Sequence, residues 1–172
     1  MNTLIKKSLL SSSTALLALS LVASPAVYAG DHPVAGGWNV TYTTQNVIPV
    51  DERGHMLVQA IAEGSNKSTL NNNHLDGWTI VNKEMADLTQ GNGPHNGYID
   101  YSNGSDIVTA AWSGNVTTVM SPEGAPQTSF AGEWQYTGGT GPYANIKGSG
   151  TYSGHFVSQT EYVVDWKGFS NK

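Results

Sequence analysis

The sequence predicts an all-β fold, and three observations carry that expectation. Apolar and polar residues alternate with a period of two through most of the chain after residue 30, turn residues interrupt the alternation at short intervals, and helical periodicity is almost absent there. The alternation is clearest around Trp134. Phe130, Trp134 and Tyr136 share one parity, and Glu133, Gln135 and Thr137 the other, as in a half-buried strand. About seven to nine short strands at regular spacing fit either a sandwich or a closed barrel.

Taken in order, residues 36–44 form a first strand with Trp38, Val40 and Tyr42 on one face. Residues 46–54, with Pro49, Asp51, Glu52 and Gly54, break it. Residues 55–63 form a second strand. Its row Met56, Val58, Ala60, Ala62 is smoothly apolar and is a candidate for core or for a subunit face, whereas His55, Leu57, Gln59, Ile61 and Glu63 are mixed. Residues 64–73 read as a polar loop ending in Asn71-Asn72-Asn73, and residues 75–81 as a third strand. Residues 83–88 have local helical propensity, but in so β-rich a chain a continued or bulged strand is expected.

Residues 91–97 form a turn. Residues 98–101 and 106–113 then make a hairpin closed by Asn103-Gly104, a favoured type I′ pair. Residues 116–120 are a short β-branched strand, and residues 121–127 a Pro-containing loop. The strand through Trp134 stops where Gly138, Gly139, Thr140, Gly141 and Pro142 supply left-handed positions and a missing donor. Residues 151–156 and 160–166 are the last strands, the final one placing Tyr162, Val164 and Trp166 on one face and Glu161, Val163, Asp165 and Lys167 on the other.

The turn Gly138-Gly139-Thr140-Gly141-Pro142-Tyr143, followed by Gly148 and Gly150 and then by Tyr162-Val163-Val164, resembles the C-terminal half of the allene oxide cyclase and dirigent barrel family. The resemblance covers roughly a quarter of the chain and rests on Gly-rich turns, which are weak motifs taken singly. It implies a single antiparallel, calycin-like barrel of about eight strands. It also implies a function among epoxide ring closure, stereochemical guidance of phenoxy-radical coupling and cyclisation by related bacterial enzymes, and assembly as a homodimer or homotrimer. In all three chemistries a rigid, largely apolar cavity holds a flexible substrate in one productive conformer. One departure stands out. Dirigent pockets are described with acidic and arginine residues, and the only arginine here, Arg53, lies in a predicted loop.

Residues 1–29 read as a signal peptide, leaving residues 30–172 as one barrel domain. Lys6 and Lys7 precede an apolar run over residues 9–22, and Pro25 with Val27-Tyr28-Ala29 completes a small-residue cleavage site. No second long apolar stretch follows, so no membrane span is expected and the protein is expected to be exported, periplasmic or secreted. The chain has no cysteine, which excludes a thiol nucleophile, a cysteine zinc site, an iron–sulfur cluster and a thiolate-ligated haem. After cleavage, six Lys and Arg face 13 Asp and Glu, a difference of −7. Nucleic acid and anionic membranes, which are bound through clustered basic residues, are disfavoured as partners.

Five tryptophans lie in predicted strands, where aromatic rings serve a core or a ligand cavity equally well. Trp78, Trp112, Trp134, Tyr136, Tyr162 and Trp166 are the candidate ligand-binding residues for a small apolar or aromatic molecule. The histidines show no metal-ligand spacing, so neither metal nor other cofactor is expected. Acid–base chemistry would fall to Glu63 or Glu84, each ending or following an apolar row, with His95 in its Gly-rich turn as a third candidate. With aromatic rows facing inward, Glu133 and Asp165 face solvent.

No serine-hydrolase elbow, phosphate loop, dinucleotide fingerprint or calcium loop occurs. Three functions follow: an exported barrel binding a small apolar or aromatic ligand in its lumen, a cofactor-independent cyclase or isomerase or dirigent-like protein, and a filled barrel acting through protein contacts.

Overall fold

The computed structural model describes residues 31–172; the signal-peptide reading of residues 1–29 falls outside them. Among the described residues the chain runs as eight antiparallel strands: β1 (His32–Pro49), β2 (His55–Ser68), β3 (Thr79–Thr89), β4 (Gly93–Ser102), β5 (Ile107–Met120), β6 (Pro126–Gly139), β7 (Gly148–Phe156) and β8 (Glu161–Ser170). Each pairs with the next, and β8 pairs with β1, so the sheet closes into a barrel. Closure leaves no strand edge to be covered.

Parity decides what faces inward. Val34, Val40, Ala62, Ile80, Ile99, Val108, Trp134, Tyr152 and Trp166 are buried, while Glu133 and Asp165 stand exposed on the outer wall. Met56, Val58, Ala60 and Ala62 also turn inward, so this row faces the lumen and not another subunit. Register slips once in β1, between Tyr42 and Thr44. A one-residue slip exchanges the faces, so Gln45 and Val47 join Trp38 and Tyr42 on the interior.

Several inward positions are glycine, and large rings occupy the space. A Cβ on Gly97 would come within 2.7 Å of the Trp112 ring, one on Gly132 within 2.6 Å of the Tyr152 hydroxyl, and one on Gly36 within 2.5 Å of the Trp166 ring. The rings lie against the bare backbone of the neighbouring strand, which flattens them onto the wall and keeps the middle of the barrel open.

The strands are longer than local signals indicate. β1 runs on through residues 46–49, where a break was expected, because Pro49 is its last residue and no ladder donor is needed beyond it. β2 continues to Ser68 through what reads as polar loop, since Asn66 is turned inward and hydrogen-bonded. β3 begins only at Thr79 but carries straight through residues 83–88. β5 joins two expected strands into one. The expected two-residue turn at Asn103-Gly104 is a four-residue one: Asn103 Oδ1 accepts the backbone N–H of Ser105 and Asp106, and only Gly104 takes positive φ.

One end of the barrel is plugged. The connection over residues 69–78 folds back so that Leu75, 3% exposed, seals the end beside Ile146 from the β6–β7 connection. Leu75 takes φ 50°, a left-handed conformation disfavoured for a branched side chain by about 1 kcal/mol. Burying its side chain contributes about 1.5–3 kcal/mol, so burial wins. Asn66 fastens the plug, donating to the Leu75 carbonyl at 2.8 Å and accepting the Trp166 indole N–H at 3.0 Å. Trp78 meets Tyr143 edge-on at 5.2 Å and joins the two connections.

Candidate functional site

The opposite end is open, and behind it lies a lumen of about 950 Å³. Its mouth is formed by the connections β1–β2, β3–β4, β5–β6 and β7–β8, and its rim exposes Val47, Val119 and Val157. Most of the wall is aromatic or aliphatic. Tyr42, Phe130, Phe156 and Tyr162 form one continuous ring cluster, with Phe130 and Tyr162 edge-on at 5.5 Å and Tyr42 and Tyr162 tilted at 5.3 Å.

Set into that wall is one carboxylate. Glu84 of β3 accepts the Tyr42 hydroxyl on Oε1 at 2.5 Å, and on Oε2 the Tyr162 hydroxyl at 3.2 Å and the Asn82 amide at 3.0 Å. Asn82 is itself fixed: its Nδ2 also donates to the Tyr162 oxygen at 2.8 Å, and its Oδ1 accepts the Trp112 indole N–H at 2.9 Å. The five residues of the network come from four strands, Asn82 and Glu84 sharing β3. β1, β3, β5 and β8 all contribute, so the network exists only in the closed barrel.

Burial pushes the Glu84 carboxyl above its ordinary value, while the hydrogen bonds from Tyr42, Tyr162 and Asn82 pull it back toward ionisation. Burial, with the nearby Glu84 charge second, drives the Tyr42 and Tyr162 hydroxyls far above their ordinary range, so both remain donors. A second polar station sits on another part of the wall. His95 Nε2 and the Tyr152 hydroxyl lie 3.0 Å apart, and the imidazole is packed edge-on against Trp112 at 4.8 Å. Burial lowers the His95 pKa to about 4, so the ring is neutral near pH 7.

The candidates read from sequence are thereby sorted. Glu84, His95, Trp112, Trp134, Tyr162 and Trp166 line the lumen. Glu63 does not: it has the opposite parity to Ala62 and stands exposed on the outer wall. Trp78 and Tyr136 belong to the plugged end, where Tyr136 is buried with its hydroxyl 2.8 Å from His74 Nε2. Tyr42, Asn82, Phe130 and Tyr152 line the lumen as well, and sequence reasoning did not single them out as site residues. Strand parity held the signal for Tyr42 and Phe130. Nothing local marked Asn82. Among the described residues no group of three or more His, Cys, Asp or Glu is placed to hold a metal ion.

No protein-family model and no curated protein matches the chain. Among solved structures, a pterocarpan synthase dirigent protein aligns at 13% identity over 90% of this chain and 98% of that chain, with a TM-score of 0.42. The all-β, closed eight-stranded class is defined by the ladders themselves. None of the helices among the described residues is long and apolar enough to cross a membrane.

Proposed function

We propose that this protein is an exported barrel that binds a small, largely apolar or aromatic molecule in its lumen. The observation that carries the reading is the lumen itself: about 950 Å³, open at one end, walled by aromatic rings and furnished with a few convergent polar groups. That combination is typical of small-molecule sites, and glycines opposite the rings hold the space open. The apolar rim suits a guest that sheds water on entering. Export is supported by Lys6, Lys7, the apolar run over residues 9–22 and Val27-Tyr28-Ala29.

The test is titration with the uncharged probe N-phenyl-1-naphthylamine. A saturable fluorescence rise at one probe per barrel is expected, and its loss in a folded Val58→Trp variant, whose indole fills the mouth side of the lumen. No saturable binding would overturn the reading. Export is checked by the mass of the protein recovered from the host's exported fraction, which should begin at Gly30.

A second reading, a cofactor-independent cyclase or isomerase, is favoured by one observation. The Glu84 carboxyl, hydrogen-bonded to Tyr42 and with its pKa raised by burial, is the acid–base group that a substrate in the aromatic-walled lumen would meet. Turnover of a bound guest by wild type and not by Glu84→Gln is the expected signature, and equal turnover by the two would end this reading.

A further inference from the structure

Resting on the lumenal-binding reading, we infer that the guest carries a positive charge, and that the Glu84 carboxylate with the surrounding rings is a receptor for an organic ammonium group. Three features of the site point there. The first is the donor count. Tyr42, Tyr162 and Asn82 direct three N–H or O–H groups at the two carboxylate oxygens, and those are the partners an anion needs.

The second is missing counter-charge. No lysine or arginine lines the lumen, and the lone carboxylate in the wall has only neutral partners. Hydrogen bonds from neutral donors compensate a buried anion in part, and a cation at contact distance adds the direct charge–charge attraction that they lack. Two histidines, His95 and His155, line the lumen; neither is hydrogen-bonded to Glu84, and His95 is engaged with Tyr152 and stays neutral near pH 7. The third is the wall itself. Tyr42, Phe130, Phe156, Tyr162 and Trp112 line the same lumen as the carboxylate, and a cation desolvated over aromatic faces is attracted by their quadrupoles. An anionic guest is disfavoured by the same field. The size of the lumen leaves room for an apolar or aromatic body attached to the charged group.

The probes are benzyltrimethylammonium and neopentylbenzene, which share a shape and differ by one charge. Affinity is read from quenching of the lumenal tryptophans in wild type and in Glu84→Gln, with near-ultraviolet circular dichroism as the folding control. The ammonium probe is expected to bind wild type at least tenfold more tightly than its uncharged counterpart, and the advantage should fall below threefold in Glu84→Gln. Equal affinities in wild type would overturn the inference while leaving lumenal binding intact, and that comparison holds even if the variant fails to fold. An advantage that survives Glu84→Gln would place the charge recognition elsewhere and would also overturn it. Failure of both probes to bind would remove the lumenal reading and this inference together.

Discussion

The Tyr42 hydroxyl donates to Glu84 Oε1 at 2.5 Å, joining β1 to β3 across the interior although β2 lies between them in the sheet. The pair therefore reports on closure of the barrel as well as on the chemistry of the lumen. It is also the shortest of the hydrogen bonds that hold Glu84.

Tyr42→Phe removes the strongest influence favouring the ionised carboxylate. The Glu84 pKa should rise further, because burial would then act against only two donors. Stability at pH 7 should fall by about 1–3 kcal/mol, the range for leaving a buried polar group short of a partner. Carbon-13 NMR titration of the Glu84 carboxyl and urea denaturation check the two parts. An unchanged Glu84 titration would show that Tyr42 does not hold the carboxylate.

His74 and His95 set the response to acid. Burial depresses both from 6.5 to about 4, although at His74 a backbone contact with Lys172 opposes the effect. A depressed value means that the unfolded chain binds the proton more readily, so their contribution is complete above 6.5 and is lost as pH falls through 4. Each accounts for up to about 3 kcal/mol at full protonation. Glu84 works in the opposite sense: its raised value contributes below 4.5 and is lost as pH rises through its folded pKa. Urea midpoints should drop between pH 6.5 and 4, and the drop should shrink in His95→Gln. A flat profile over that range would contradict neutral, buried imidazoles.

Asn66→Ala should unfasten the plugged end. The side chain is 1% exposed and serves the Leu75 carbonyl and the Trp166 indole; its loss leaves the buried indole N–H without a partner and the carbonyl with only the longer bond from the Trp78 backbone N–H at 3.3 Å. A loss of about 1–3 kcal/mol is expected from the one stranded buried group. Hydrogen exchange should quicken over residues 69–78 well before the barrel strands respond. Unaltered exchange there would mean that Leu75 alone holds the plug.

Gly97→Ala tests whether bare backbone keeps the lumen open. The new methyl group would strike the Lys83 carbonyl of β3 and the Trp112 ring, so the β3–β4 backbone must shift and the indole must leave the wall and its bond to Asn82. Overpacking of this kind costs about 1–3 kcal/mol. Thermal midpoint and the near-ultraviolet tryptophan signal should both change. If neither moves, the ring is free to slide and the glycine is not a spacer.

Much of the wall was legible in the chain because strand parity is a local property. Phe130, Trp134 and Tyr136, or Tyr162, Val164 and Trp166, can be assigned to one face by counting in twos, and the acidic residues between them to the other. The exclusion of thiol and cysteine–metal chemistry also needed nothing but composition. Glu63 was a candidate only for its place at the end of an apolar strand, and the same counting already set it opposite the apolar row, on the outer wall where it stands. Counting misjudged the strand ends, where Asn66 and Pro49 read as loop until their partners are in view.

What the sequence by itself determined is the all-β class, the inward rows of rings and the missing chemistries, all of which follow from period, turn residues and composition. Only the tertiary structure decided that the rings enclose an open lumen, that the residue 69–78 connection plugs one end, and that Tyr42, Asn82, Glu84, Trp112 and Tyr162 form one network. The physical reason is separation along the chain. Tyr162 lies 80 residues from Asn82, and the two meet because eight strands close with a fixed register, a relation that no window of sequence contains.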